Sequence, residues 1–284
     1  MNAPITDLFA IRDGVAPTVI RPSSGQATRG FGGHVAALAL AAAYESVPPS
    51  LTVHHVHIEF LQPAMVGRPL RLDVRPYRDG RSIARRTVEA GHPGEPPCAV
   101  LMATFNRRDD HGLDFRCPMP AAPDVDQSPL VRTDPVEVRH VIDPGDPAHQ
   151  QIWIRPRVRP LAPEPTLQHC AMLFLSDFTI LWPTMTVHGL DPGRDRHSVL
   201  GSVAHTMWFH RDGRADDWLL YDQRTPTTSG GLGHAEGRIF SRSGVLLATV
   251  AQVGLLRPAR AGVPAVTSPE PRVRGGGPAR RDGR

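Results

Sequence analysis

The sequence predicts an α+β chain in which one layout, a long helix with an antiparallel meander, is made twice. Three observations predict it. Two helical runs, His34 to Tyr44 and Leu167 to Trp182, are apolar on nearly every face, as helices buried on all sides are. Around each lie β-branched, partly alternating runs separated by Gly and Pro signals. Short echoes recur about 145 to 148 residues apart: His57-Ile-Glu-Phe-Leu with His205-Thr-Met-Trp-Phe, and Met102-Ala-Thr-Phe with Leu247-Ala-Thr-Val. Joining the two sheets edge to edge removes an exposed edge from each, so each helix is expected to be wrapped by its half of one continuous curved sheet.

The elements follow in order. Gly30-Phe-Gly-Gly33 opens the first, Ala-rich helix, and Pro48-Pro49 stops it. Strands are expected at Thr52 to Leu61, around Leu70 to Arg75, near Ser82 to Ala90 and at Ala99 to Arg107, with a hairpin signal at Arg78-Asp-Gly-Arg81. The Pro-rich stretch Asp109 to Thr133 reads as a linker between an N-terminal half, residues 1–108, and a C-terminal half, residues 134–257. In the second half strands are expected at Val136 to Val141 and Gln151 to Arg155. The second helix follows, with Pro183 closing it. Further strands are expected at Val199 to His210, Trp218 to Arg224, Ala235 to Ser241 and Val245 to Leu256, with a loop over Thr225 to Gly233.

Composition narrows the function. With 40% hydrophobic and 21% charged residues, the chain reads as globular, and no apolar run reaches the roughly 20 residues needed to span a bilayer. The N-terminus lacks a basic segment followed by an apolar one, and Cys98, Cys117 and Cys170 are scattered. A cytoplasmic protein with no structural zinc, no disulfide framework and no membrane partner is the expectation. The net charge of +4 resides in the tail: from Arg257 onward seven Arg face only Glu270 and Asp282, leaving the rest about −1. The body is therefore not a basic nucleic-acid binder. Residues 258–284, rich in Pro, Gly and Arg, are expected to be disordered.

Asp177 is the leading candidate for chemistry, because it sits in the oily second helix with Phe174, Phe178 and Leu181 at contact spacing. A buried carboxylate is costly unless bonded or paired. The structural alternative is an acid that caps a helix, pairs with Arg or reaches solvent. Ser202 opens a strand dense in pocket-type side chains, and Gln252 is the large polar group of the strand Thr-Val-Ala-Gln-Val-Gly-Leu-Leu. Together an acid, a hydroxyl and an amide can grip one water, the carboxylate taking its proton. Gly32-Gly33 at a helix start offers amides and a positive dipole end to an oxyanion, and His34 directly after them is a candidate to face the same pocket. No Gly-x-Ser-x-Gly elbow occurs, which removes a serine hydrolase of that type. His55, His57 and Glu59 share a strand face without a further ligand to complete a metal site, and His205 and His210 read as ordinary strand residues.

Phe31-Gly-Gly-His-Val, Phe60-Leu-Gln-Pro, Arg78-Asp-Gly-Arg-Ser82, Leu175-Ser-Asp-Phe178, His205-Thr-Met-Trp-Phe-His-Arg211, Trp218-Leu-Leu-Tyr221 and Gln252-Val-Gly-Leu-Leu-Arg257 occur in this order. With these motifs the chain resembles the acyl-CoA thioesterase II (TesB-like) family over nearly all of residues 15–257. The resemblance implies a double hotdog fold. It implies hydrolysis of acyl-CoA to free fatty acid and CoA by water, with no cofactor, metal or covalent intermediate. By motif position the family's water-activating Asp, Thr and Gln fall on Asp177, Ser202 and Gln252. Four positions depart from the family pattern: His34 for Gln, Ala204 for Asp, Leu232 for Arg before Gly233, and Val253 for Glu. They keep a second reading in view, a catalytically impaired hotdog that binds acyl thioesters. A hotdog enoyl-CoA hydratase is a third. Arg81 and Arg85 are candidates for the CoA phosphates, since Arg suits phosphate. By analogy a homo-oligomer, dimer or tetramer, is expected.

Overall fold

The computed structural model describes residues 9–19, 28–108, 112–132, 135–141, 145–157, 161–192 and 199–257. The tail from Pro258 lies outside them, as do residues 109–111 and 133–134 of the expected linker. In chain order the elements are β1 (Val15–Ala16), α1 (Gly32–Glu45), β2 (Thr52–Phe60), β3 (Leu70–Asp79), β4 (Ile83–Gly91) and β5 (Pro97–Asn106). A 3-10 turn (Val125–Gln127) and β6 (Leu130–Arg132) follow, then β7 (Val136–Val141), β8 (His149–Pro156), α2 (Pro165–Ser176) and α3 (Trp182–Thr186). Strands β9 (Val199–Phe209), β10 (Leu219–Ser229), β11 (Leu232–Ser241) and β12 (Leu246–Arg257) complete the described elements.

All the strands form one antiparallel sheet in the order β1-β3-β4-β5-β2-β9-β12-β11-β10-β8-β7-β6. The order is palindromic about the β2–β9 seam: β5, β4 and β3 run outward on one side as β12, β11 and β10 do on the other. At the seam His55 faces Trp208 and Glu59 faces Ala204. Alternation sends Val56 and Ile58 of β2 inward, a bulge at His54 brings Val53 to the same buried face, and His57 stays on the outer face, bonded to Thr206 Oγ1 at 2.7 Å. His205 points inward. The echo between His57 and His205 is therefore out of phase by one residue, which inverts the face.

Both helices lie on the inner face and run antiparallel. The start of α1 meets the end of α2 through Gly33 and Asp177, while Tyr44 near the end of α1 is bonded to His169 of α2 at 2.8 Å. Ala supplies high helix propensity to α1 and lets strands and α2 approach on several sides, so ten of its residues are buried. Phe31, Phe174 and Phe178 pack edge to face or tilted around the junction at centroid separations of 4.3 to 5.5 Å.

Several boundaries differ from the sequence expectation. Asp177 does not sit within a helix but caps the end of α2, and residues 177–181 form turns. Pro183 starts rather than closes a helix: it lies in the first turn of α3, where the N–H it lacks would be unbonded anyway. The stretch Thr225 to Gly233 is mostly strand, with a bulge between Arg224 and Thr227. The turn itself contracts to Gly230-Gly231, with φ of 60° and 78°, values glycine adopts freely and which suit a tight hairpin. Of the stretch expected as a linker, residues 130–132 form β6 of the sheet, and those before it pack on β8, β10 and β11. Pro123 accepts from Trp153 Nε1 at 3.0 Å, and Cys117, Met119 and Ala122 pack on Trp153, Trp218 and Phe240.

Candidate active site

Asp177, Ser202 and Gln252, distant in sequence, meet where α1 begins and α2 ends. Asp177 Oδ1 accepts from Ser202 Oγ at 2.9 Å and from Gln252 Nε2 at 2.8 Å, and Gln252 Nε2 also lies 2.9 Å from Ser202 Oγ. Asp177 Oδ2 accepts from the backbone N–H of Gly33 at 2.7 Å. Helix α1 has no side-chain cap of its own from Phe31. The carboxylate, delivered from the other half, supplies that cap and sits at the positive end of the helix dipole. Gln252 is buried, whereas Asp177 and Ser202 as whole residues keep partial exposure.

Glycine makes the junction possible. A Cβ on Gly32 would stand 2.9 Å from Asp177 Oδ2 and 3.2 Å from the Phe60 ring. A Cβ on Gly33 would stand 2.7 Å from the Phe31 ring, 2.8 Å from the Phe174 carbonyl oxygen and 2.9 Å from Asp177 Cβ. Backbone cannot yield cheaply there, so Gly33→Ala is expected to destabilise the fold by about 1–3 kcal/mol and to lower turnover; chemical denaturation with steady-state kinetics checks both.

The geometry corrects one expected role. The Gly33 amide is spent on Asp177, and its single hydrogen cannot serve an oxyanion at the same time. His34 is fully buried, its ring 6.1 Å from that of Phe9 and 6.2 Å from that of Phe174, the latter edge to face. Arg81 and Arg85 are not brought to this cluster. Arg85 pairs across to Thr104, level with His55, and Arg81 lies in the turn beyond. Phe60, whose ring meets Gly32, is at the opposite end of β2, roughly 16 Å along the strand from His55. A cavity of about 580 Å³ also lies elsewhere, between Asp212, Arg214 and Trp218 on one side and Ser241 and Arg242 on the other.

His205 is the residue that sequence reasoning passed over. It is fully buried, with Nδ1 on Gln252 Oε1 and Nε2 2.9 Å from Ser176 Oγ. Simple alternation puts residues 202 and 205 on opposite faces. In the sheet Gly254 pairs with Ser202 but Val253 pairs with Ala204, so Val203 is an extra residue in β9 and both Ser202 and His205 reach the site. Burial pushes the Asp177 carboxyl above the usual carboxylate range, opposed by the nearby His205 and by the bonds from Gln252, Ser202 and Gly33. Burial also pushes the His205 imidazole down, with Asp177 opposing.

The other end of the helix pair is built differently, with Tyr44 and Asp212 on the two nitrogens of His169. Ser46 caps α1 where Asp177 caps α2. Arg86, almost fully buried, fills that end with its Nε 2.8 Å from Ser46 Oγ, one terminal nitrogen 2.9 Å from the Ser46 carbonyl and the other 2.7 Å from Asp79.

Residues 20–106 match the acyl-CoA thioesterase N-terminal domain family, and residues 103–256 match the acyl-CoA thioesterase C-terminal domain family. The chain belongs to the acyl-CoA thioesterase family. As a member it is a thioester hydrolase. It is 29% identical over 265 residues to human acyl-coenzyme A thioesterase 8, covering 81% of each chain. Among solved structures it is similar to the acyl-CoA thioesterase II TesB2 from Mycobacterium marinum, with 33% identity, a TM-score of 0.76, and coverage of 90% of this chain and 99% of that one. A protein with a hot dog fold from Alicyclobacillus acidocaldarius, 24% identical, has a TM-score of 0.73 and covers 88% of this chain and 97% of its own. The fold of this thioesterase is accordingly a double hotdog, with one continuous sheet around two helices. Among the described residues no helix is long and apolar enough to cross a membrane, and no group of three His, Cys, Asp or Glu is placed to hold a metal ion.

Proposed function

We propose that Asp177, Ser202 and Gln252 activate a water that hydrolyses an acyl-CoA thioester to free fatty acid and CoA. One observation carries this reading: three donors from α1, β9 and β12 converge on the carboxylate of Asp177, yet the residue stays partly exposed. A carboxylate has about four acceptor sites. Three are taken, which leaves one on Oδ2, and a Cβ on Gly32 would stand 2.9 Å from that oxygen, so glycine keeps it uncrowded from that side. Ser202 Oγ likewise accepts from Gln252 and retains a second lone pair. A water held by these two acceptors gives its proton to Asp177 as its oxygen attacks the thioester carbonyl carbon. The carbon–sulfur bond then breaks, and Asp177 returns the proton to the departing thiolate. The positive end of α1, with the Gly32 amide, stands beside the developing oxyanion.

Substitution of Ser for the family's Thr keeps the hydroxyl. Val253 and Ala204 pair with each other across β12 and β9. The two acids of the family pattern are thus replaced at one paired position, outside the hydrogen bonds of Asp177. This favours hydrolysis over a binding-only protein. Scattered free cysteines support a reducing, cytoplasmic setting, and association into dimers or tetramers is proposed by analogy with other hotdogs.

A thiol-release assay across short to long acyl-CoAs tests the reading. Thiol release is expected; tight binding without it would favour the impaired binder, and loss of enoyl absorbance without it a hydratase. In the same assay kcat/KM is expected to fall as pH drops through the pKa of the base. Because enclosure raises that pKa, the acid limb should lie above the ordinary carboxylate range of about 4. A limb at or below that range would remove Asp177 as the base.

A further inference from the structure

Among the described residues, His205 makes its hydrogen bond to the cluster through Gln252. The two face each other in register across β12 and β9. Gln252 presents its amide nitrogen to Asp177 Oδ1 and Ser202 Oγ, so its amide oxygen is the end that meets His205 Nδ1. An amide oxygen only accepts, which requires the hydrogen of this contact to be on Nδ1. A carboxamide is nearly symmetric in shape, so hydrogen bonds at its two ends decide which way it points. On the far side His205 Nε2 meets Ser176 Oγ, which also lies 2.8 Å from the Leu173 carbonyl oxygen within α2. Ser176 can accept from Nε2 or donate to it, so this end tolerates either tautomeric demand, whereas the Gln252 end does not.

We propose that His205 is a positioning residue: its Nδ1–H holds the Gln252 amide with the nitrogen toward Asp177 and Ser202, and so fixes the place of the attacking water. The inference rests on the water-activation reading above. Without that hydrogen the Gln252 oxygen has no buried donor, and the amide is anchored at its nitrogen end alone, free to shift away from Asp177 and Ser202. The water site would then lose its geometry, while residues outside this cluster would keep theirs.

Three variants separate this from a packing role. In His205→Asn the side-chain amide reaches the position of Nδ1. In His205→Gln it reaches instead toward Nε2 and Ser176. His205→Leu removes both. Thiol release is measured for each, with KM, and thermal unfolding is followed in parallel. Expected is kcat within about 5-fold of the parent for Asn, but a loss on the order of 10–100-fold for Gln and Leu with little change in KM, since small misplacements of reacting groups have effects of that size. Equal kcat for Asn and Gln, or losses that follow unfolding temperature rather than the Nδ1 donor, would overturn the proposal. Should Leu fail to fold, the Asn and Gln pair still decides. Asp177→Asn run alongside keeps the two levels apart: full activity there removes the water-activation reading, whereas an inactive Asp177→Asn beside an active His205→Gln removes only the role of His205.

Discussion

Asp177→Asn should lower kcat for acyl-CoA hydrolysis by roughly 10²- to 10⁴-fold, the usual contribution of a positioned general base. Asn keeps the size of the side chain and one acceptor oxygen, but three donors point at this position. With its oxygen toward Ser202 and Gln252, its NH2 group faces the Gly33 N–H, and two donors then oppose each other. Some loss of stability is therefore expected beside the kinetic loss, on the order of 1–3 kcal/mol for an unsatisfied group. Far-UV circular dichroism and thermal unfolding measure whether the variant is folded; a folded variant with parental kcat would remove the proposed base.

Phe174→Ala should have the largest effect on stability. Phe174 is fully buried, and its ring lies within 5.0 to 6.2 Å of those of Phe9, Phe31, His34 and Phe178. Removing a core Phe costs about 3–5 kcal/mol through lost burial and the cavity left behind. For a chain of this size that corresponds to a fall in Tm of roughly 10 °C. Asp177 caps the same helix, so residual activity of the folded fraction should fall as well. A Tm within a few degrees of the parent would mean that the aromatic junction is not what ties the two helices together.

These two residues show how much the chain disclosed before folding. The apolar run around Asp177 marked both a buried helix and an acid in need of partners. Ser202 and Gln252 stood out as polar groups in otherwise strand-like surroundings. Helix ends were harder to place. The run continues apolar past Ser176, and only the hydrogen bonds show that the helix ends at Asp177. Asp177 acts both as a helix cap and as the candidate base, so the structural and functional readings of this acid are not alternatives.

Arg81 and Arg85 suit phosphate by residue type, but sheet register sets Arg85 level with His55, roughly 16 Å along β2 from Phe60, with Arg81 beyond it. His205 was passed over for the opposite reason. Its face depends on one extra residue, Val203, and strand alternation read from sequence contains no sign of a bulge.

By itself the sequence determined the fold class, the two buried helices and the residue types available to the site. These follow from composition and from periodicities that extend over one element, and each element carries its own copy of that information. Tertiary structure alone decided that the Gly33 amide goes to Asp177, 144 residues away, that Ser202 and Gln252, 25 and 75 residues away, share one carboxylate oxygen, and that His205 stands behind Gln252. The physical reason is that such bonds depend on the register between strands and on where two helices cross. A shift of one residue in either leaves every local pattern intact and takes the site apart.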